Sequence, residues 1–215
     1  MQFLNSNKKL SSNIFLPLIG GAGQTNRYYQ SNSLVEKAAD AFKVRALYLN
    51  APALFEDEKT LSMFLKERAI ENMLNMWRRL NVAIFGLGKP VYESELIKAE
   101  IDSSIVLELI RERAVGDILA RFFDKEGNLC RTKLNNLILG IDLNTLKEVP
   151  LRICLCGGEK KVEGIIAASK KGYFNVLVTD STTASAILNR VRGEGDEGSF
   201  LYGTEQNGTK GHRKT

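Results

Sequence analysis

The sequence predicts an α/β fold: a Rossmann-like open parallel sheet with a small antiparallel excursion. Two observations predict it. Short aliphatic or β-branched runs alternate with longer segments of helical periodicity, and several of these runs end in glycine or small polar residues. A chain of 215 residues, 44% of them hydrophobic, also carries enough apolar side chains for one sizeable core. We therefore expect a single domain in which strands and helices alternate.

Each element follows from its local pattern, strands from short apolar runs and helices from apolar residues three or four positions apart. The predicted elements are strand 14–19, helix 31–42, strand 45–49, one or two helices within 60–80, strand 81–85, helix 104–113, strand 119–123, strand 152–156, helix 161–170, strand 175–178 and helix 182–192. Residues 124–128 predict the hairpin turn of the antiparallel excursion, because Gly127 can adopt the positive φ that such turns need.

The chain divides into three parts by composition. Residues 1–13 form an N-terminal extension, and residues 14–192 form the domain. Residues 193–215 are rich in glycine and poor in large apolar side chains, so they cannot offset the entropy of ordering themselves. We expect them to be a flexible tail.

Composition excludes several classes of protein. The 30 Lys and Arg against 25 Asp and Glu give a net charge of +5, spread over mixed-sign segments, which argues against a nucleic-acid surface on this chain. The three cysteines are too few for a disulfide framework or a zinc ribbon and favour a reducing cytosol. No secretory signal and no membrane-length apolar run occurs. We expect a cytoplasmic protein without membrane contact.

Cofactor and catalytic patterns are incomplete. Gly20–Gly23 lacks the third glycine of a dinucleotide fingerprint, and no Walker-type sequence occurs. The only histidine, His212, lies in the predicted tail, which excludes histidine-based catalysis in the core. We therefore expect no cofactor, no metal and no catalytic residue.

A ligand cleft is predicted where strands end in glycine or small polar residues. The carboxyl ends of parallel strands meet at one edge of a sheet, and glycine lets backbone N–H groups approach an anion. These ends are Gly20–Gly21, Gly86–Gly88, Gly157–Gly158 and Thr179–Asp180. Any one of them alone is better explained as a tight βα turn, but four together favour a ligand. Lys161, after the third glycine pair, can reach an anion or lie on the surface.

An ordered set of motifs resembles the sugar-binding domain of the SorC family of bacterial transcriptional regulators. The motifs are PLIGGAG (17–23), QSN (30–32), APAL (51–54), IFGLG (84–88), RAVGDILARFFDKEGN (113–128), LGIDLNTLKEVP (139–150), CGGEKKVEGIIAA (156–168) and NVLVTDSTTASAIL (175–188). The resemblance implies a fold similar to ribose-5-phosphate isomerase and glucosamine-6-phosphate deaminase. It also implies a non-enzymatic effector domain that binds a sugar or sugar phosphate as an allosteric inducer.

The resemblance assigns roles to residues of the cleft. It places Gly20 and Gly21 in the turn under the ligand, and Gln30 and Asn32 at the start of the facing helix. It places Asp117 within reach of sugar hydroxyls, although Asp117 could instead cap a neighbouring backbone group. The full predicted ligand set is Gly20, Gly21, Gln30, Asn32, Gly86, Gly88, Asp117, Gly157, Gly158 and Lys161. Ile19 stands where some members have arginine, which favours a neutral sugar or a monophosphate over a bisphosphate.

The resemblance also concerns partners. Family members read an operator through an N-terminal helix-turn-helix domain, which we expect to be absent here together with the first phosphate loop. Homo-oligomers are expected, with DNA contact only through that absent domain. Two alternatives stay open. The first is a phosphosugar isomerase or deaminase, since the same fold also hosts such enzymes, although the core has no histidine. The second is a ligand-free remnant that only oligomerises, which the missing loop makes plausible.

Overall fold

The structure is a computed structural model that describes residues 13–21, 30–91 and 101–195. Its strands are β1 (Ile14–Phe15), β2 (Arg45–Ala46), β3 (Val82–Phe85), β4 (Gly116–Ile118), β5 (Arg121–Phe123), β6 (Leu151–Leu155) and β7 (Val176–Val178). Its α-helices are α1 (Ser31–Phe42), α2 (Glu58–Phe64), α3 (Arg68–Trp77), α4 (Ser103–Arg111), α5 (Leu143–Glu148), α6 (Val162–Lys170) and α7 (Ser181–Gly195). Two short 3-10 segments cover Lys133–Asn136 and Glu159–Lys161.

The predicted α/β class, with a parallel sheet and a small antiparallel one, is confirmed. β3, β6 and β7 form a parallel sheet in the order β3-β6-β7, and β4 pairs antiparallel with β5. β1 and β2 form a separate parallel pair, so the expected single sheet is divided. Within the described ranges, no strand bridges the β1–β2 pair and the β3-β6-β7 sheet by backbone hydrogen bonds. The Rossmann-like layout and the likeness to the isomerase fold stay predictions.

β4 and β5 are joined by a hairpin turn at Leu119–Ala120, which the sequence patterns did not predict. Both turn residues have positive φ, 54° and 63°, which is the property of the tight turns that join antiparallel strands. Sequence reasoning missed this turn because leucine and alanine rarely adopt that conformation. The predicted turn at 124–128 is confirmed as a second antiparallel connection: Phe123 and Leu129 form an antiparallel bridge across it, and Gly127 has the predicted positive φ, 76°.

Most helix predictions are confirmed within a few residues. α1 has the predicted bounds, and the segment 60–80 contains two helices, α2 and α3. The final helix runs on to Gly195. Sequence reasoning missed α5, whose six residues are too few to show periodicity. Apart from residues 13 and 193–195, the predicted extension and tail lie outside the described residues, and those boundaries stay predictions.

Two apolar clusters form the core. The larger joins one face of the β3-β6-β7 sheet to α3 and α6, with Phe85, Cys154 and Ile165 buried in it. Trp77 of α3 also belongs to it and donates its indole N–H to the Pro17 carbonyl at 2.8 Å. The smaller cluster surrounds Phe122 of β5 and the buried side of α4. Together they fix the strand ends that carry the predicted ligand residues.

The opposite face of the β3-β6-β7 sheet is exposed and aliphatic. Its six most exposed side chains have between 38% and 58% of their surface exposed, and the seventh, Ile153, is half-buried. We call it the aliphatic face; it consists of Val82, Ile84, Leu151, Ile153, Leu155, Val176 and Val178. Among the described helices, none combines the length and the apolar character needed to cross a membrane.

Candidate ligand-binding site

Asp117 and Gly88 form the centre of the candidate site. The Gly88 N–H donates to the Asp117 carbonyl at 2.9 Å, which joins the segment after β3 to β4. A Cβ atom on Gly88 would overlap Asp117 Oδ1. The carboxylate therefore occupies the space that the missing side chain of Gly88 leaves open.

The Asp117 carboxylate also closes the β4–β5 hairpin. Its Oδ2 accepts a hydrogen bond from the Ala120 N–H at 3.0 Å, so the capping role that the sequence left open is present. Burial raises the pKa of Asp117 to about 6, against the opposing effects of that hydrogen bond and of the nearby Lys161 ammonium. Near neutral pH this carboxyl can therefore accept a hydrogen bond and, when protonated, donate one.

The glycine turn after β6 is held by the start of α7. The Gly158 N–H donates to Thr183 Oγ1 at 2.7 Å, and the Thr183 hydroxyl donates to Asp180 Oδ2 at 2.7 Å. Gly158 has a φ of 111°, and its carbonyl accepts from the Lys161 N–H at 2.9 Å. Because the Gly158 N–H is already bonded, the turn positions Lys161 instead of offering that N–H to an anion.

Three residues of this region were missing from the predicted ligand set: Thr179, Asp180 and Thr183. The Asp180 carboxylate occupies the space where a Cβ of Gly157 would lie, and it accepts from the Thr183 N–H at 2.8 Å. These bonds lower the pKa of Asp180. Thr179 Oγ1 is buried and lacks a hydrogen-bond partner among the described residues. An Asp three positions before a Thr at a helix start is an N-cap pattern that could have revealed the pair.

The remaining predicted ligand residues form a second group, near β1 and α1. The Gly20 N–H donates to the Leu139 carbonyl at 2.9 Å, and the Gly21 N–H donates to the Ala51 carbonyl at 2.9 Å. Gln30, which precedes α1, places its Oε1 3.1 Å from where a Cβ of Gly21 would lie. Gly20, Gly21 and Gln30 are thus brought together.

Asn32 is bonded to the backbone. Its Oδ1 accepts from the Leu49 N–H at 3.0 Å, and its Nδ2 donates to the Leu49 carbonyl at 3.1 Å. The amide therefore ties α1 to the segment after β2. Asp117, Lys161 and the glycines at 86, 88, 157 and 158 thus belong to the segments around the carboxyl ends of β3 and β6. Asn32 belongs to the second group, where it holds the backbone at Leu49.

Metal binding has no support within the described ranges, where no three Cys, Asp, Glu or His side chains cluster in a way that could hold an ion. The chemistry on offer is that of hydrogen bonding and charge. One carboxyl, one ammonium and one unpaired hydroxyl, on Asp117, Lys161 and Thr179, lie around glycine-lined strand ends. Such a set suits a small polyhydroxylated or anionic molecule.

Comparison with known proteins establishes the family. Residues 1–189 match the family described as "Putative sugar-binding domain". The chain belongs to this family, the sugar-binding domains of SorC-type transcriptional regulators, and the resemblance found in the sequence is confirmed.

Individual relatives agree. Over 172 residues the chain is 33% identical to the deoxyribonucleoside regulator of Bacillus subtilis, covering 80% of this chain and 55% of that protein. It is 51% identical to the transcriptional regulator LsrR of Escherichia coli over 79 residues, 36% of this chain and 25% of LsrR. The full-length sorbitol operon regulator SorC of Klebsiella pneumoniae superposes with a TM-score of 0.82 at 28% identity, covering 87% of this chain and 61% of that one. The chain thus spans about half the length of the first curated relative.

Proposed function

We propose that this chain is the effector-binding unit of a sugar-responsive transcriptional regulator and that it binds a sugar or sugar phosphate. The observation that carries the proposal is that the Asp117 carboxylate fills the space beside Gly88 after β3, within electrostatic range of the Lys161 ammonium after the glycine turn of β6. Thr179 Oγ1 lies next to Gly157 without a hydrogen-bond partner among the described residues. A carboxylate accepts hydrogen bonds from vicinal hydroxyls, and an ammonium pairs with phosphate. Family membership supports the same ligand class.

The ligand acts as an allosteric inducer in this proposal. Asp117 is bonded into the β4–β5 hairpin, and the turn that positions Lys161 is bonded to the start of α7. A molecule held between Asp117 and Lys161 therefore contacts two elements at once. Its differential affinity for two arrangements of those elements would supply the coupling energy.

Thermal denaturation with a panel of pentoses, hexoses and their phosphates tests the proposal. A ligand specific for the folded state adds about 2.7 kcal/mol at a hundredfold excess over its Kd and raises the melting temperature. Lys161→Ala should weaken the response to a phosphorylated ligand, while Lys147→Ala, which removes an exposed charge on α5, should not. A folded protein that responds to no member of the panel would overturn the proposal and favour the ligand-free remnant.

A phosphosugar isomerase or deaminase is the second candidate, favoured by one observation. A carboxyl with a pKa of about 6, such as that of Asp117, is suited to general base catalysis. We propose binding without turnover, since the relatives are named as regulators. Incubation of the best ligand with the protein, followed by NMR, decides between the two: product that forms with the parent but not with Asp117→Asn would establish the enzyme.

We infer a homo-oligomer in the cytoplasm, which contacts an operator only through a helix-turn-helix domain and not through the described residues. The aliphatic face supports self-association, because it has seven aliphatic members and no charged one. Exposed apolar patches of this kind mark interaction sites. In a two-fold dimer the same patch of both copies forms the interface, so each aliphatic face would be buried against the other.

A further inference from the structure

Cys154 and Cys156 lie side by side directly before the glycine turn of the candidate site. Their Sγ atoms are 3.4 Å apart, and both side chains point to the core, as alternation along an extended strand requires. Cys154 is fully buried, and Cys156 has 9% of its surface exposed. The ligand proposal makes no use of either thiol.

We propose that Cys154 and Cys156 form a redox site in which a peroxide converts the two thiols into an intrastrand disulfide. Residues two apart in an extended strand have Cα atoms about 6.6 Å apart, which lies within the range that disulfides span. The sulfur atoms lie 3.4 Å apart, and a bond between them also needs Cβ atoms within about 4.5 Å of each other, so the backbone at Cys156 moves toward Cys154 as the bond forms. Cytosolic disulfides are typically transient and redox-sensing, which fits a regulator.

Cys156 is the attacking sulfur. The hydrogen bond from the Cys154 thiol lowers the pKa of Cys156, and the Lys161 ammonium acts in the same direction against the effect of burial. The hydrogen bond with Cys156, with burial, raises the pKa of Cys154. The thiolate therefore forms on Cys156, which is also the more exposed of the two.

The reaction has two steps. The Cys156 thiolate attacks one peroxide oxygen, forms a sulfenic acid and releases hydroxide. The Cys154 sulfur then attacks the Cys156 sulfur, displaces the sulfenic oxygen and loses its proton, which leaves the disulfide and water. In total two thiols lose two electrons and two protons, and one hydrogen peroxide becomes two waters.

Cys130 serves as an internal reference. It is buried, and burial together with the nearby Asp124 and Glu112 carboxylates raises its pKa to about 12. A thiol in these surroundings stays protonated and reacts slowly. The site proposed here therefore predicts selective oxidation of two of the three cysteines.

The consequence for ligand binding rests on the proposed function. Cys156 precedes Gly157 and Gly158, and the Gly158 carbonyl holds the Lys161 N–H. Closing the disulfide draws Cys156 toward Cys154 and displaces this turn. We expect the oxidised protein to bind its ligand about fivefold more weakly or worse, a typical coupling between sites.

Mass spectrometry of the folded protein tests the disulfide without any ligand. After mild hydrogen peroxide, denaturation and alkylation, we expect the 154–156 peptide to be unalkylated and lighter by two hydrogens, and dithiothreitol to restore alkylation. The Cys130 peptide should be alkylated throughout. In Cys154→Ser, dimedone should trap a sulfenic acid on Cys156, whereas Cys156→Ser should keep Cys154 reduced. Full alkylation of all three cysteines, or oxidation of Cys130 at the same rate, would overturn the proposal.

A ligand titration on both redox forms separates the two proposals. Weaker binding by the disulfide form supports the coupling, and equal binding removes the coupling while the disulfide result stands. A protein that forms the disulfide but binds no sugar in either form contradicts the proposed function alone.

Discussion

Asp117 stands out at the residue scale, because its carboxyl is a hydrogen-bond acceptor in a place where burial disfavours its charge. Its folded pKa of about 6 lies above the ordinary value of 3.8. The folded state thus binds the proton more tightly than the unfolded chain, which adds stability below pH ~4 that is lost as the pH rises through about 6. Near pH 7 the buried charge opposes folding.

We therefore predict that Asp117→Asn raises the free energy of unfolding by about 1–2 kcal/mol near pH 7.5. The amide keeps an acceptor for the Ala120 N–H without the charge. The difference from the parent should shrink toward zero near pH ~4, where the parent carboxyl is protonated. Urea denaturation across this range measures it. A difference independent of pH would show that the charge of Asp117 is not the cause.

Asp117→Ala is the matched change, because it removes both the charge and the acceptor for the Ala120 N–H. It should leave the domain about 1 kcal/mol less stable than Asp117→Asn. Equal stability of the two variants would mean that the hydrogen bond to Ala120 contributes nothing.

At the element scale, the turn of the β4–β5 hairpin is strained, because Leu119 and Ala120 both have a positive φ that their side chains disfavour. Ala120 has a φ of 63°. Ala120→Gly should raise the free energy of unfolding by about 0.5–1 kcal/mol, since relief of the left-handed strain exceeds the loss of a methyl contact. Ala184→Gly, inside α7, should lower it by about 1 kcal/mol. Thermal melts of both variants check the opposite signs, and a loss of stability at both positions would refute the strain.

The segment after β3 allows a second comparison of neighbours. A Cβ on Gly88 would overlap the Asp117 carboxylate, whereas a Cβ on Gly86 would meet only the Leu155 carbonyl, at an ordinary 3.6 Å. Gly88→Ala should thus cost about 1–3 kcal/mol by displacing Asp117, and Gly86→Ala should stay within about 0.5 kcal/mol of the parent. Chemical denaturation measures both. A tolerated Gly88→Ala would show that the carboxylate does not depend on this space.

At the scale of the whole molecule, the exposed aliphatic face is a candidate surface for self-association. A lysine in place of Ile84, the most exposed member of this face, would place a charge in any interface between copies. We predict that the parent self-associates with rising concentration, that Ile84→Lys abolishes this, and that Leu107→Lys, on the exposed side of α4, does not. Sedimentation velocity gives the masses. A parent protein that stays monomeric, or an equal loss of association in both lysine variants, would show that copies do not associate through the aliphatic face.

Local patterns were sufficient for much of the fold and for part of the candidate site. α1 has its predicted bounds because its apolar spacing is set within a dozen residues, and Gly127 has its predicted positive φ. The motifs around Asp117 and Lys161 point to these two residues, and the Lys161 ammonium does act electrostatically on the Asp117 carboxyl, but their role toward a ligand stays a prediction. The Leu119–Ala120 turn escaped prediction because strand pairing, and not local preference, imposes its backbone conformation.

By itself the sequence determined the α/β class, the family and the residue types available to a ligand, since these depend on periodicity and motifs along the chain. Only the tertiary structure decided which partners those residues have. The carboxylates of Asp117 and Asp180 occupy spaces left by Gly88 and Gly157, and the two thiols meet at Cys154 and Cys156. The division of the parallel strands and the exposed aliphatic face were decided there too. The physical reason is that such contacts join segments far apart in sequence or depend on side-chain rotamers, and packing, not spacing, selects both.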